Sequence, residues 1–175
     1  MHWIAFAILT YLIVVVQAAA VPFVEVHTIR PDLLVIVAVY YALAARTYDA
    51  LLACWLIGLA IDLTSLSYTE HANVGLHAFS LGLIAFVIVK LRDLTFRDSV
   101  ITQLIFTFVA KLALSLLAGV YMLYVVHAPD RFGEVLVTGA YAAVYTAILA
   151  PYVHWFLRRL RNLLGIGASH RLRVH

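Results

Sequence analysis

Charge is what this sequence has least of. Only 12% of its 175 residues are Asp, Glu, Lys or Arg, while 65% are apolar. A soluble domain carries roughly 25% charged and 45–50% apolar residues. The chain therefore cannot coat a water-soluble globule of its size, and lipid must complete its surface. It has one cysteine, Cys54, set in an apolar run, so neither a disulfide framework nor a cysteine-based zinc site can be built. HExxH, GxSxG and a phosphate-cradling glycine loop are all missing, which argues against an intramembrane hydrolase. The net charge of +3 does not form a nucleic-acid face, because five arginines lie in the last 18 residues beside an apolar segment. The first apolar stretch has no basic leader and is long enough to span, so it reads as a retained helix rather than a cleaved signal.

What is present is a series of apolar runs. A hydrocarbon core of about 30 Å takes roughly 20 residues of helix at about 1.5 Å each. Trp3–Val21 meets that length, with Pro22 ending it. Leu33–Ala45 is strictly apolar for only 13 residues, so Pro31 and Asp32 have to be drawn into the membrane edge. Arg46–Asp49 reads as a short hairpin into a third helix from about Ala50 to Leu66, followed by a polar loop from Ser67 to Asn73. Further helices are expected over Gly75–Leu91, Val100–His127 and Val135–Leu157. Barrel strands would alternate over about 10 residues instead. The fold class is thus an all-α membrane protein, six transmembrane helices in one bundle over 1–157, with a basic tail over 158–175.

Orientation follows from lysine and arginine placement. With the N-terminus inside, Arg46, Lys90, Arg92, Arg97, Arg158, Arg159, Arg161, Arg171 and Arg173 are cytoplasmic. Only Arg30 and Arg131 are outside, and Lys111 is within a span. Both termini are therefore expected in the cytoplasm. Arg158, Arg159 and Arg161 read as a basic anchor to anionic lipid. Trp3, Tyr68, Tyr124, Tyr152 and Trp155 fall near helix ends, as interfacial aromatics do.

Small residues recur where helices can touch. Ala50, Cys54 and Gly58 are four apart, Gly75 and Ala78 open the fourth helix, Gly82 follows Ala78 by four, and Gly139, Ala143 and Ala147 repeat the spacing. Such faces allow close backbone approach, either within the bundle or to a partner's helix. Charges inside spans cost at least about 2.5–3.5 kcal/mol and call for explanation. Asp32 has one as an acidic group at a helix start, beside Pro31 in the first turn. Asp62 and Lys111 have none. Counted from Ala50 and Val100, they lie about 18 Å and 16.5 Å deep, which predicts that they pair and join helices three and five. The alternatives are separate hydrated crevices, or a snorkelling lysine. Glu70, His71, His77, His127 and Asp130 gather in outer segments, but none shows metal-ligand spacing on a helix face, and they read as loop residues meeting water.

Three blocks in order carry a family resemblance. Arg30-Pro31-Asp32-Leu33-Leu34 precedes Val39-Tyr40-Tyr41-Ala42-Leu43. Trp55-Leu56-Ile57-Gly58-Leu59-Ala60-Ile61-Asp62-Leu63-Thr64-Ser65 follows, then Gly75-Leu76-His77-Ala78-Phe79-Ser80-Leu81, with Pro22-Phe23 closing helix one. Over about residues 17 to 92 the chain resembles the MreD family of bacterial rod shape-determining membrane proteins. It departs where the family often has glycines at the start of helix three, here Ala50 and Cys54, and in a longer loop between Ser65 and Gly75. The resemblance implies a non-enzymatic subunit of the cell-wall elongation machinery in the inner membrane, without cofactor. It also implies direct binding to MreC and, through the complex, links to MreB, to RodA and to RodA's transpeptidase, with homo-oligomerisation left open. The family fold is similar to the substrate-binding component of energy-coupling-factor transporters. That similarity supplies the alternative function, a small-ligand-binding component of such a transporter.

Overall fold

The structure, a computed structural model, describes residues 2–20, 29–65, 75–92, 99–125, 127, 130 and 132–165. Among the described residues the architecture is helical. Six helices follow in order: α1 (Trp3–Ala20), α2 (Leu33–Ala44), α3 (Thr47–Ser65), α4 (Leu76–Leu91), α5 (Val100–Tyr124) and α6 (Phe132–Arg159). Three of them, α3, α5 and α6, are long and apolar enough to cross a membrane. The others are shorter, and α2, at 12 residues, is only about 18 Å long.

That short helix is the centre of the molecule. Every residue from Leu34 to Leu43 is buried, and α2 touches all five other helices. An apolar run of 10–14 residues is the length of a core helix rather than of a span, and a helix apolar all round must be covered all round. The covering is made by two hairpins, α3 with α4 and α5 with α6, whose helices pack most extensively on one another. Small residues set those contacts. A Cβ added to Gly58 would stand 2.5 Å from both the Ala78 Cα and the His77 carbonyl oxygen, so α4 rests directly on the α3 backbone there. On the other side, Gly139 of α6 lies against the Ser115 side chain of α5, and Gly119 faces the Phe132 ring. α1 lies on α2 through Phe6, whose ring meets Tyr41 edge-on at 5.1 Å.

Several boundaries differ from those expected. The Arg46–Asp49 hairpin is not formed: α3 begins at Thr47, and the Ala50 N–H donates to the Arg46 carbonyl at 2.7 Å. Tyr48 and Asp49 are polar because they occupy the first turn, where an acid also complements the helix dipole. α5 stops at Tyr124, short of His127, which takes a left-handed conformation with φ of 56°. α6 starts at Phe132, with Glu134 in its first turn, and continues through Arg159 rather than ending at Leu157. Residues 160–165 then turn back, bury Leu164 and accept the His2 N–H on the Leu164 carbonyl at 3.1 Å. The start of the expected basic tail is therefore packed against the start of α1. Pro22 and Phe23, the loop over 67–73 with Glu70 and His71, and Arg97, Arg131, Arg171 and Arg173 lie outside the described residues.

Candidate functional site

A helix as short as α2 leaves its first N–H groups and last C=O groups inside the bundle, where water cannot satisfy them. The polar residues of this sequence are spent on that problem. At the N-terminal end, Pro31 is buried and has no N–H to satisfy. Asp32 is the N-cap: its Oδ1 accepts the Val35 N–H at 3.2 Å. Gln17 of α1 accepts the Leu34 N–H at 3.2 Å and donates its amide to the same Asp32 oxygen at 3.4 Å. The Asp32 N–H donates to the Thr146 hydroxyl of α6 at 3.1 Å. The second carboxylate oxygen receives the Lys111 ammonium of α5 at 2.7 Å. The side chains of this ion pair are 19% and 14% exposed, so the charges are largely, but not wholly, withdrawn from the surface. Four helices thus meet at Asp32.

The other end of α2 is closed by Arg92, the residue after α4. Buried at 7% exposure, its guanidinium donates to the Ala42 carbonyl at 2.9 Å, to the Ala45 carbonyl, and to the Thr47 hydroxyl at 3.3 Å. One planar fork thereby ties the C-terminus of α2 and the start of α3 to the end of α4. Between these ends, the His154 imidazole donates to the Ile36 carbonyl at 3.2 Å and Cys54 donates to the Ala38 carbonyl at 3.2 Å. Tyr40 of α2 in turn donates to the Leu157 carbonyl at 3.3 Å.

Asp62 does for α4 what Asp32 does for α2, but from a neighbouring helix. Gly75 precedes α4 with φ of 101°, a left-handed backbone that suits glycine, and it supplies no side-chain cap. Asp62 reaches across from α3. One oxygen accepts the Gly75 and Ala78 N–H groups at 2.9 and 3.1 Å, the other the His77 N–H at 3.1 Å and the His77 Nδ1 at 2.8 Å. Gly58 is one turn below Asp62 on the same face, and the missing side chain there lets the first turn of α4 come within reach of the carboxylate.

The Asp62–Lys111 pair expected from matched depth is therefore not the one formed. Each charge has a different partner, because equal depth does not fix which faces of the helices meet. Asp32 holds the N-terminal place assigned to it and is in addition the lysine's counterion. Gln17, Thr146, His77 and Arg92 were not singled out as partners. The available signal was the length of the second apolar run, since a helix ending inside the bundle requires polar groups at both ends. Gly58 and Ala78 are committed to the α3–α4 contact, whereas a Cβ added at Gly82 would meet only a Trp55 ring atom, at 3.9 Å. Arg30 is exposed; Arg159 lays its guanidinium 4.3 Å from the Trp155 ring centroid, Arg158 is half-buried and Arg161 is exposed. His127 bonds locally to the Val125 carbonyl at 3.1 Å, and no metal-capable group of three side chains occurs among the described residues.

The arrangement positions helices: every charged group within it is engaged with a helix end or an opposite charge. A family model described as rod shape-determining protein MreD matches residues 1–160, and the chain belongs to that family of membrane proteins. No curated protein and no solved structure matches it.

Proposed function

We propose that this member of the MreD family is a non-enzymatic, six-span subunit of the cell-wall elongation complex in the bacterial inner membrane. It binds the single-pass protein MreC, and through the complex it connects to MreB filaments, to RodA and to RodA's transpeptidase. The observation that carries this reading is the family match over residues 1–160. The interior supports it, since the charged side chains of Asp32, Lys111, Asp62 and Arg92 are all bonded to the chain's own groups. Such a frame suits a rigid docking subunit. Both termini are cytoplasmic in this reading, which the nine-to-two distribution of Lys and Arg across the two sides supports. Residues 1–157 act as one membrane domain, and 158–175 as a basic segment against the inner leaflet.

The test is affinity purification of the tagged chain from native membranes in mild detergent. Recovery of MreC together with RodA is the expected result. Recovery of an ATPase module without them would replace this reading with the transporter alternative.

A further inference from the structure

The two arginines that this fold withdraws from water fare differently. Arg92 is given the Ala42 and Ala45 carbonyls and the Thr47 hydroxyl. Arg158, in the last turn of α6, is half-buried with its Nε shut off from solvent, and among the described residues no group accepts from its guanidinium. A basic side chain at a helix C-terminus commonly bonds the last carbonyls. Here those are taken. The Leu157 carbonyl accepts both the Tyr40 hydroxyl and the Leu160 N–H, and the Arg158 carbonyl accepts the Arg161 N–H at 3.2 Å. Nor is a free carboxylate at hand. Among the described residues the acid at this end of the bundle is Asp49, in the first turn of α3, and it is already engaged within the chain.

The same side of α6 carries the other parts of a headgroup site. Trp155 precedes Arg158 by three residues and Arg159 by four, the spacings that share one face of a helix. Trp155 is 55% exposed and Tyr152, one turn earlier, 72%. Exposed aromatics near a helix end mark the boundary between acyl chains and headgroups, and Arg158 stands about 4.5 Å beyond Trp155 along the axis, at the level of the phosphates. Arg159 is held 4.3 Å from the Trp155 ring centroid, and its N–H groups too have no acceptor among the described residues. Arg161, by contrast, already interacts within the chain. A guanidinium drawn partly out of water without an acceptor is costly, and a pair of anionic oxygens meets its fork with two hydrogen bonds. A soluble anion offers the same oxygens, but only a molecule with chains below its phosphate matches the apolar strip that leads down from Arg158.

We propose that Arg158, with Arg159 beside it, seats the phosphodiester of one anionic phospholipid against the end of α6, with an acyl chain running along Trp155 and Tyr152. This rests on the reading of the basic segment given above and replaces a diffuse attraction to the leaflet by a single site whose hydrogen-bonding fork is Arg158. Exchange of arginine for lysine tests it, because the charge stays and the fork goes. The full chain in detergent is titrated with phosphatidylglycerol, with phosphatidylcholine as the zwitterionic reference and inorganic phosphate as the soluble anion, and retained lipid is counted by native mass spectrometry. Expected is one tightly retained phosphatidylglycerol per chain, held about tenfold more weakly by Arg158→Lys, the loss of one charge-assisted hydrogen bond, and equally well by Arg161→Lys. Equal retention by wild type and Arg158→Lys, with a loss only when Arg158→Gln and Arg159→Gln remove the charge, overturns the seat and leaves the basic anchor and the MreC-binding reading standing. No preference for phosphatidylglycerol over phosphatidylcholine overturns both seat and anchor. Displacement of the lipid by inorganic phosphate at equal concentration makes the ligand a soluble anion and overturns the proposal. A second measurement needs no variant: phosphatidylglycerol with a photoactivatable group beside its phosphate, crosslinked to the wild-type chain in bilayers, is expected to label residues 152–161. Labelling spread evenly over the helix ends, or confined to another helix, overturns the seat.

Discussion

Neutralising the two members of the Asp32–Lys111 pair, singly and together, separates the pairing in the structure from the one that helix depth alone implies. Asp32→Asn keeps an oxygen to accept the Val35 N–H, so the N-cap survives while the counterion is lost. Lys111 is then left charged and largely enclosed. Breaking a buried pair costs about 3–5 kcal/mol, and the residual exposure of these side chains places this case near about 3 kcal/mol. Lys111→Met strands the carboxylate instead. Asp32 still has the Val35 and Gln17 N–H donors and the positive end of α2, so that loss is smaller, about 2 kcal/mol. With both replaced no unpaired charge remains, and the double variant should cost about 2 kcal/mol instead of the additive 5, a coupling of about 3 kcal/mol. Thermal unfolding in detergent reads this directly, with Asp32→Asn lowering the midpoint by about 6–12 °C. Asp62→Asn combined with Lys111→Met is the control and should be additive within about 0.5 kcal/mol. Additive behaviour at Asp32 and Lys111, with coupling at Asp62 and Lys111, would refute the arrangement described here.

Gly58→Ala should destabilise the protein by about 1–3 kcal/mol, because the new methyl meets α4 backbone that cannot move aside without dislodging the Asp62 cap. Gly82→Ala, whose methyl has 3.9 Å to its nearest neighbour, should be tolerated, and melting curves of the two variants compare them. Arg92→Lys should cost about 2–3 kcal/mol, since one ammonium cannot serve Ala42, Ala45 and Thr47 together. The loss should appear as faster amide exchange around Leu43–Thr47. A reporter fused after His175 should be cytoplasmic, and a cysteine at Ala72 should react with an impermeant reagent on intact cells; labelling only after lysis would contradict the six-span topology.

How far the sequence carries is visible at individual residues. Composition alone places the chain in lipid, because a chain with so few charges has no other way to complete its surface. Helical spans follow, since backbone groups in hydrocarbon must bond within their own segment. Positions of five helices are legible to within a few residues from the apolar runs, and α6 to about three at its start. The family is legible from Arg30-Pro31-Asp32 and the blocks around Asp62 and Gly75. Partner identity among the buried charges was not. Asp62 and Lys111 sit at similar depth in sequence, but pairing depends on how each helix is rotated about its axis and which neighbour stands beside it. Those quantities are set by long-range packing, such as the α3–α4 contact at Gly58. Nor could the sequence show that Leu33–Ala44 is the buried centre rather than a lipid-facing span. A run that is apolar on every side has no preferred face, so only the surrounding helices decide whether lipid or protein covers it.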